Sequence, residues 1–517
     1  MQYYVPVPII WVSALAGAWI TYYVLQALYN ISPLHPLHKI PGPRLAAATY
    51  LPEFYHDIIL GGRYTHAIKA MHEDYGPIVR INPWEIHCSD IAFADEIFAL
   101  GGRKRDKPMH HINGSGVGTT NTFGAKEHDL HKTRRAPLAK MFSTGMIAQL
   151  EDEIHGFVTR LCDKLLAESG KGPIDVTTAY SCFTSDVIFT YCFGESNGFL
   201  QQTGWYPNFR EPTLAMIKYT LVFKFFPFLV KLQGIAVWFL DYLPKDIAFV
   251  VRSLKVTIPQ RAFATKEKLD AGIHFDRPTI FETLLKSDLK EEEKRPERLA
   301  DEAITVTAAG TETTSWTLSV ITFHLLDKPH LLDRLLTELR ANIDDPRNLP
   351  RWTTLEKLPY LSAVIQEGLR LGYGVSGPIA LEAPEEDLVY RGEFQKKPVE
   401  IVIPRGSAMA MSNFINHHNE AVFPDSHAFQ PERWLDEHGG RNKSPEKWMM
   451  AFSKGPRACM GKNLALCELH LVLAALALRV LPRMSLYETT EKDVVYDYDM
   501  TVPMPVAESK GVRIMIE

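Results

Sequence analysis

Six cysteines in 517 residues, at 88, 162, 182, 192, 459 and 467, include no CxxC pair. That excludes a disulfide scaffold and a zinc ribbon, and leaves a reduced, cytosol-facing body. An excess of either charge is missing too: 56 Lys and Arg stand against 61 Asp and Glu, a formal net charge of −5. No basic field therefore marks nucleic acid as a partner. After about residue 45 the chain has no Gly/Ser-rich linker, low-complexity run or internal repeat. Its length allows about three average domains, yet nothing separates them, so residues 46–517 read as one large domain. With 46% hydrophobic and 23% charged residues, that domain can bury a sizeable core.

What is present begins with an uncharged run, "VPVPIIWVSALAGAWITYYVLQALY", residues 5–29. About 20 apolar residues suffice to cross a bilayer. A cleaved signal peptide is the competing reading, with "ALA" at 14–16 as its small-residue site. No basic residue precedes the run and it stays apolar to Leu28, so residues 1–30 read as a membrane anchor. Lys39 and Arg44 are the first charges beyond it, which predicts a single-pass topology with the body in the cytosol. In residues 31–45 the prolines of "SPLHPLHKIPGPR" fix φ and suppress helix, giving a stiff hinge.

The body is mostly of helical period, as in "EDEIHGFVTRLCDKLLAES" and "HLLDRLLTELRANI". "GPIVRINPWEIHCSD" predicts a hairpin around Asn82-Pro83, with Val79/Ile81 and Ile86/Cys88 on alternating faces. The charged stretch 286–298, "KSDLKEEEKRPER", reads as a solvated loop. The fold class is mainly α with a small β-sheet region.

Three stretches carry chemistry. Residues 299–326, "LADEAITVTAAGTETTSWTLSVITFHLL", are apolar nearly all round and should thread the core as a helix. Gly310 beside the hydroxyls of Thr311, Thr313 and Thr314 predicts a local opening of that helix, with Glu312 either used in chemistry or paired to a base from elsewhere. In "YLSAVIQEGLRLGYG", Glu367 and Arg370 share a helix face. Arg433 of "FQPERWL" supplies a second guanidinium that could join the same carboxylate.

The third stretch, "FSKGPRACMG" at 452–461, frames Cys459 with Gly455 and Gly461. A thiolate is a strong ligand for haem iron, and a thiol needs nearby donors or positive charge to ionise. The glycines let main-chain amides approach a flat macrocycle, Arg457 can meet an anionic propionate, and the following helix points its N-terminus at the sulfur. A buried apolar cysteine is the plainer alternative; it suits Cys162, Cys182, Cys192 and Cys467 but leaves the glycines and arginine unexplained.

From the proline hinge through "AGTETT", "EGLR" and "FQPERW" to "FSKGPRACMG", the chain resembles a microsomal cytochrome P450, a haem-thiolate monooxygenase, over nearly its whole length. The resemblance implies the cytochrome P450 fold, with Cys459 as proximal iron ligand, Glu312 and Thr313 handling protons for dioxygen, and Glu367, Arg370 and Arg433 as a structural network. By the same resemblance His131 and Arg135 in "HKTRRAPLAKMFS" hold a propionate. His131 departs from the tryptophan usual in the family, and "GYGVSGPIALEAPEED" lacks the arginine that usually follows the "EGLR" helix, which predicts a haem held less tightly than in relatives.

Haem b, O2 and electrons from NADPH through a separate reductase follow from the resemblance, the chain having no flavin or nicotinamide domain of its own. NADPH-cytochrome P450 reductase is the implied partner, with cytochrome b5 as a further donor, and Lys454, Arg457 and Lys462 are candidates for its basic docking face. The implied location is the endoplasmic reticulum membrane. The interrupted apolar stretch 221–244 reads as a membrane-dipping entrance or as a core helix pair. "HPLHKIPGPRLAAAT" and "GGRYTHAIKAMHEDYGPIVRINPWEIHCSD" are similar to fungal oxygenases of the trichodiene type, which implies hydroxylation, epoxidation or multistep oxidation of an apolar terpenoid in secondary metabolism. A polyketide or indole alkaloid substrate is the alternative. A haem-thiolate isomerase or dehydratase, or a non-enzymatic membrane haem protein, is the alternative from another class.

Overall fold

The computed structural model describes residues 7–115, 119–229, 242, 245–252, 256–273 and 277–517. Of the apolar stretch 221–244, residues 230–241, 243 and 244 lie outside the described residues.

Helix α1 (Val7–Ile31) carries no charge, and Trp11, Trp19, Tyr22 and Leu25 stand exposed along it. Among the described residues it is the one helix long and apolar enough to span a bilayer. The proline-rich segment that follows is folded onto the body. Asn30 is buried and donates to the Ala48 carbonyl at 2.8 Å, while His35 and Leu37 are buried beside Arg80. Arg80 Nη2 lies 3.1 Å from His35 Nδ1 and donates to the Pro83 carbonyl at 2.7 Å.

A short helix α2 (Leu51–Phe54) widens into a π-helical turn at Tyr55–Ile59. The expected hairpin forms as β1 (Ile78–Asn82) and β2 (Glu85–Cys88), with Val79 opposite His87. All nine residues of the pair are buried, so both faces are covered rather than one. One face, with Ile78, Ile86 and Cys88, joins a core cluster that includes Ile97 and Met409, and the other, with Val79 and Ile81, joins one that includes Tyr64, Ile68 and Tyr373. The pair belongs to a larger sheet, in the order β1-β2-β4-β3, completed by β3 (Pro378–Glu382) and β4 (Ala408–Ser412). Strand β2 runs parallel to β4, and β3 antiparallel to it.

The core is helical. Helix α3 (Met109–Gly114) and helix α4 (His128–Met141) lead to α5 (Val176–Phe193), buried at every position and capped by Asp175, which accepts from the Thr177 and Thr178 amides. Helix α6 (Arg210–Phe225) precedes the 32-residue α7 (Pro296–Asp327), then α8 (Pro359–Gly372) and α9 (Lys462–Arg479). Helix α7 is unbroken through residues 310–314, against the expected opening. A Cβ on Gly310 would sit 2.9 Å from Ile188 Cγ1, so the glycine serves close approach to α5, and the neighbouring hydroxyls bond back to carbonyls of their own helix, as Thr311 does to Thr307. The stretch 286–298 is only partly a solvated loop: α7 starts inside it, and Arg298 is buried 2.9 Å from Glu302.

Candidate active site

Cys459 lies in a loop whose shape needs its glycines. Gly455 has φ +67°, and a Cβ there would come within 1.8 Å of the Phe98 carbonyl oxygen. The Cys459 amide closes the loop on the Phe452 carbonyl at 2.8 Å. Five of the six cysteines are buried, whereas Cys459 has exposed surface. Protein groups nevertheless surround its sulfur closely, and we read its accessible surface as the wall of a hollow within the fold. Burial pushes the thiol up, and the Gly461 amide, the Arg135 guanidinium and Lys462 with its amide pull it the other way. The donors aimed at the sulfur are those that favour a thiolate.

A group of cations gathers beside it. Arg135 interacts with Cys459 and has no hydrogen-bond or ion-pair partner among the described residues. Burial lowers Arg457 to about 10. Three of its N–H groups are given to main-chain carbonyls of Arg105, Ala125 and Lys126, at 3.3, 2.6 and 2.6 Å. Lys107, which the sequence reading missed, is brought down to about 7 by burial and by Arg457. His131 falls to about 3 through burial and the charges of Arg457, Arg135 and Lys107, so its ring is neutral. Such a concentration of positive charge calls for an anion.

In α7, Ala309 is exposed and Thr313 half-buried amid buried neighbours, and the Thr313 hydroxyl donates to the Ala309 carbonyl at 3.1 Å. Glu312 is buried and accepts from Arg210 Nε of α6 at 3.1 Å. Burial raises its pKa against the pull of Arg210. The base left open by the sequence is thus Arg210, 102 residues away.

Glu367, Arg370 and Arg433 meet. Arg370 binds the Glu367 carboxylate through Nε at 2.9 Å and Nη2 at 2.8 Å, and Arg433 Nε binds it at 3.0 Å. The Gln430 amide and the Trp434 indole, each at 2.9 Å, complete its shell. Burial alone would raise this carboxyl; Arg370 and Arg433 hold it below the usual range. His417, unsuspected from sequence, extends the network. Its Nε2 accepts from the Met450 amide at 3.0 Å, which makes Nδ1 the donor to the Arg370 carbonyl at 2.8 Å. The carboxylate is in this way linked to the start of the Cys459 loop. Of the three cations expected to face a partner, Lys454 pairs with Asp95 at 2.7 Å and Arg457 turns inward, leaving Lys462.

An enclosed thiol with amide donors, next to unpartnered positive charge and a long core helix, has the surroundings that a thiolate ligand of a bound anionic group needs. A family model described as Cytochrome P450 matches residues 41–481, and the chain belongs to that family. It is 40% identical to the cytochrome P450 monooxygenase ppzE of Metarhizium majus, over 83% of this chain and 92% of that one. It is 38% identical to conidiogenone synthase of Penicillium rubens, over 93% and 94%. With N-acetyltryptophan 6-hydroxylase of Emericella nidulans it shares 33%, over 97% of each. The protein is a monooxygenase of the fungal secondary-metabolism kind, and the isomerase, dehydratase and non-enzymatic readings are not favoured. Family membership implies a haem-thiolate centre, O2, electrons from a reductase and a small-molecule substrate. Helix α1 is compatible with a membrane anchor.

Proposed function

We propose that the Cys459 thiolate would hold the iron of haem b, and that the protein inserts one oxygen atom of O2 into an apolar terpenoid. The observation that carries this reading is the Cys459 sulfur, accessible yet closely surrounded, with the Gly461 and Lys462 amides and the Arg135 guanidinium acting on it. When bound there, haem would supply the activation of dioxygen, helped by electron density from the thiolate. Arg135, Arg457 and Lys107 would hold its carboxylates, and the neutral His131 would donate a hydrogen bond rather than a charge. Thr313 and Glu312 would relay protons needed for dioxygen chemistry, with Arg210 steadying Glu312. Glu367, Arg370, Arg433 and His417 would brace the Cys459 loop from behind.

Electrons would come from NADPH through NADPH-cytochrome P450 reductase, with cytochrome b5 as a second donor. We place residues 1–30 in the endoplasmic reticulum membrane, residues 31–45 as the connector and residues 46–517 as the cytosolic catalytic domain. An indole substrate is the second reading, supported by the similarity to N-acetyltryptophan 6-hydroxylase. The test is reduction of the purified chain under carbon monoxide: the parent should give the red-shifted Soret band of a thiolate-ligated iron, and Cys459→Ser should lose it. An unaltered band in Cys459→Ser would overturn the assignment. Oxygen-18 from O2 should appear in the product.

A further inference from the structure

Far from Cys459 in sequence, three carboxylates are buried together where nothing in the monooxygenase chemistry uses them. Glu53 and Asp57, on the inner side of the α2 segment, bind Lys224 Nζ at 2.5 and 3.1 Å. His110 and His111 of α3 meet Glu53 and Glu85 at 2.9 Å each. Asn82 spans both glutamates at 3.0 and 3.2 Å. Burial would suppress the charges, but the mutual attraction of Lys224 with Asp57 and Glu53 holds the ammonium above its ordinary value. The Lys224 stem lies over Gly114, where a Cβ would come 3.2 Å from its Cγ, and Phe54 packs edge-on against Phe225.

The position of this cluster gives it meaning. Helix α6 begins at Arg210, on Glu312 beside Thr313, and ends one residue after Lys224. Helix α3 starts two residues after Lys107, on the cationic rim. Both elements therefore start beside groups gathered around Cys459 and Glu312, and farther along they are tied together where Gly114 lies against the Lys224 stem. The outer side of the same α2 segment exposes Leu51, Tyr55 and Ile59, four residues apart. It is a two-faced piece: apolar outward, acidic inward.

We propose that Lys224, clasped by Glu53 and Asp57, closes the path between α3 and α6, and that bulky apolar molecules reach the hollow only when this ionic clasp opens. Lys224 is thereby a size-selecting residue, and the proposal rests on the hollow being the haem-bearing site. Small ligands pass with the clasp shut.

The experiment follows ligand binding to the ferric holoenzyme by stopped-flow absorbance, with imidazole as the small probe and clotrimazole as the bulky one. In Lys224→Met the clotrimazole association rate should rise about tenfold while that of imidazole stays unchanged. Hydrogen exchange should quicken in 109–114 and in the last turn of α6. Lys224→Arg should behave as the parent. Should Lys224→Met fail to fold, the neutralised E53Q/D57N/K224M chain removes the stranded carboxylates and carries the same expectation. Parent-like clotrimazole rates and exchange would overturn the clasp. Absence of any imidazole spectral shift in the parent would instead overturn the haem site.

Discussion

Glu367→Gln is the sharpest single test of how the Cys459 loop is supported. The carboxylate is wholly buried and takes hydrogen bonds from Arg370 Nε and Nη2, Arg433 Nε, the Gln430 amide and the Trp434 indole. Glutamine has the same shape but only one accepting oxygen. Whichever way it turns, its NH2 confronts at least two of those donors, and two guanidinium groups lose their counter-charge. Removing one partner of a buried ion pair costs about 3–5 kcal/mol, against a total stability of about 5–15 kcal/mol. We expect a loss near 4 kcal/mol in urea unfolding. Because Arg370 is joined through His417 to the Met450 amide, haem content, read as the Soret to 280 nm ratio, should fall as well. Arg433→Met removes one of the five donors and should cost about 1–3 kcal/mol. Glu367→Gln with stability within about 1 kcal/mol of the parent and full haem would refute the reasoning.

His131, His324 and His417 are buried and lowered to about 3 by desolvation first and neighbouring cations second, His417 also opposed by its bond to Arg370. Each is neutral when folded and protonates below about 6.5 only when unfolded, so its contribution is whole above that pH and is lost as pH falls toward 3. Together they should steepen acid unfolding by about 4 kcal/mol per pH unit below pH 6, measured as urea midpoints from pH 7 to pH 4. Arg210→Met leaves Glu312 buried without its cation; more NADPH should be consumed per product, and an unchanged ratio would show that the pair has no part in proton delivery. Arg135→Ala should speed haem loss to apomyoglobin about tenfold, and unchanged loss would contradict a role in holding the carboxylates.

What the sequence made legible was local. Glu367 and Arg370 sit three apart on one helix, and the Cys459 loop is written in ten consecutive residues, so spacing alone exposes both. The mainly helical class and the 78–88 hairpin follow from period and turn chemistry in the same way. Arg210, Lys107 and His417 escaped because each acts on a group far along the chain and belongs to no short pattern. The acid cluster under Lys224 was hidden for the same reason, since its members come from four separate elements. Helix α7 failed the expected opening because Gly310 has two uses that composition cannot distinguish: loosening a helix, or letting another helix close on it.

The fit of Gly455 against the Phe98 carbonyl has a bearing on biosynthesis. Those two segments are separated by most of the polypeptide, so the nest around the sulfur is unfinished until a late-emerging stretch has returned to an early one. On the proposed role of Cys459, haem would be captured in a closing event, after the ribosome has delivered nearly everything else.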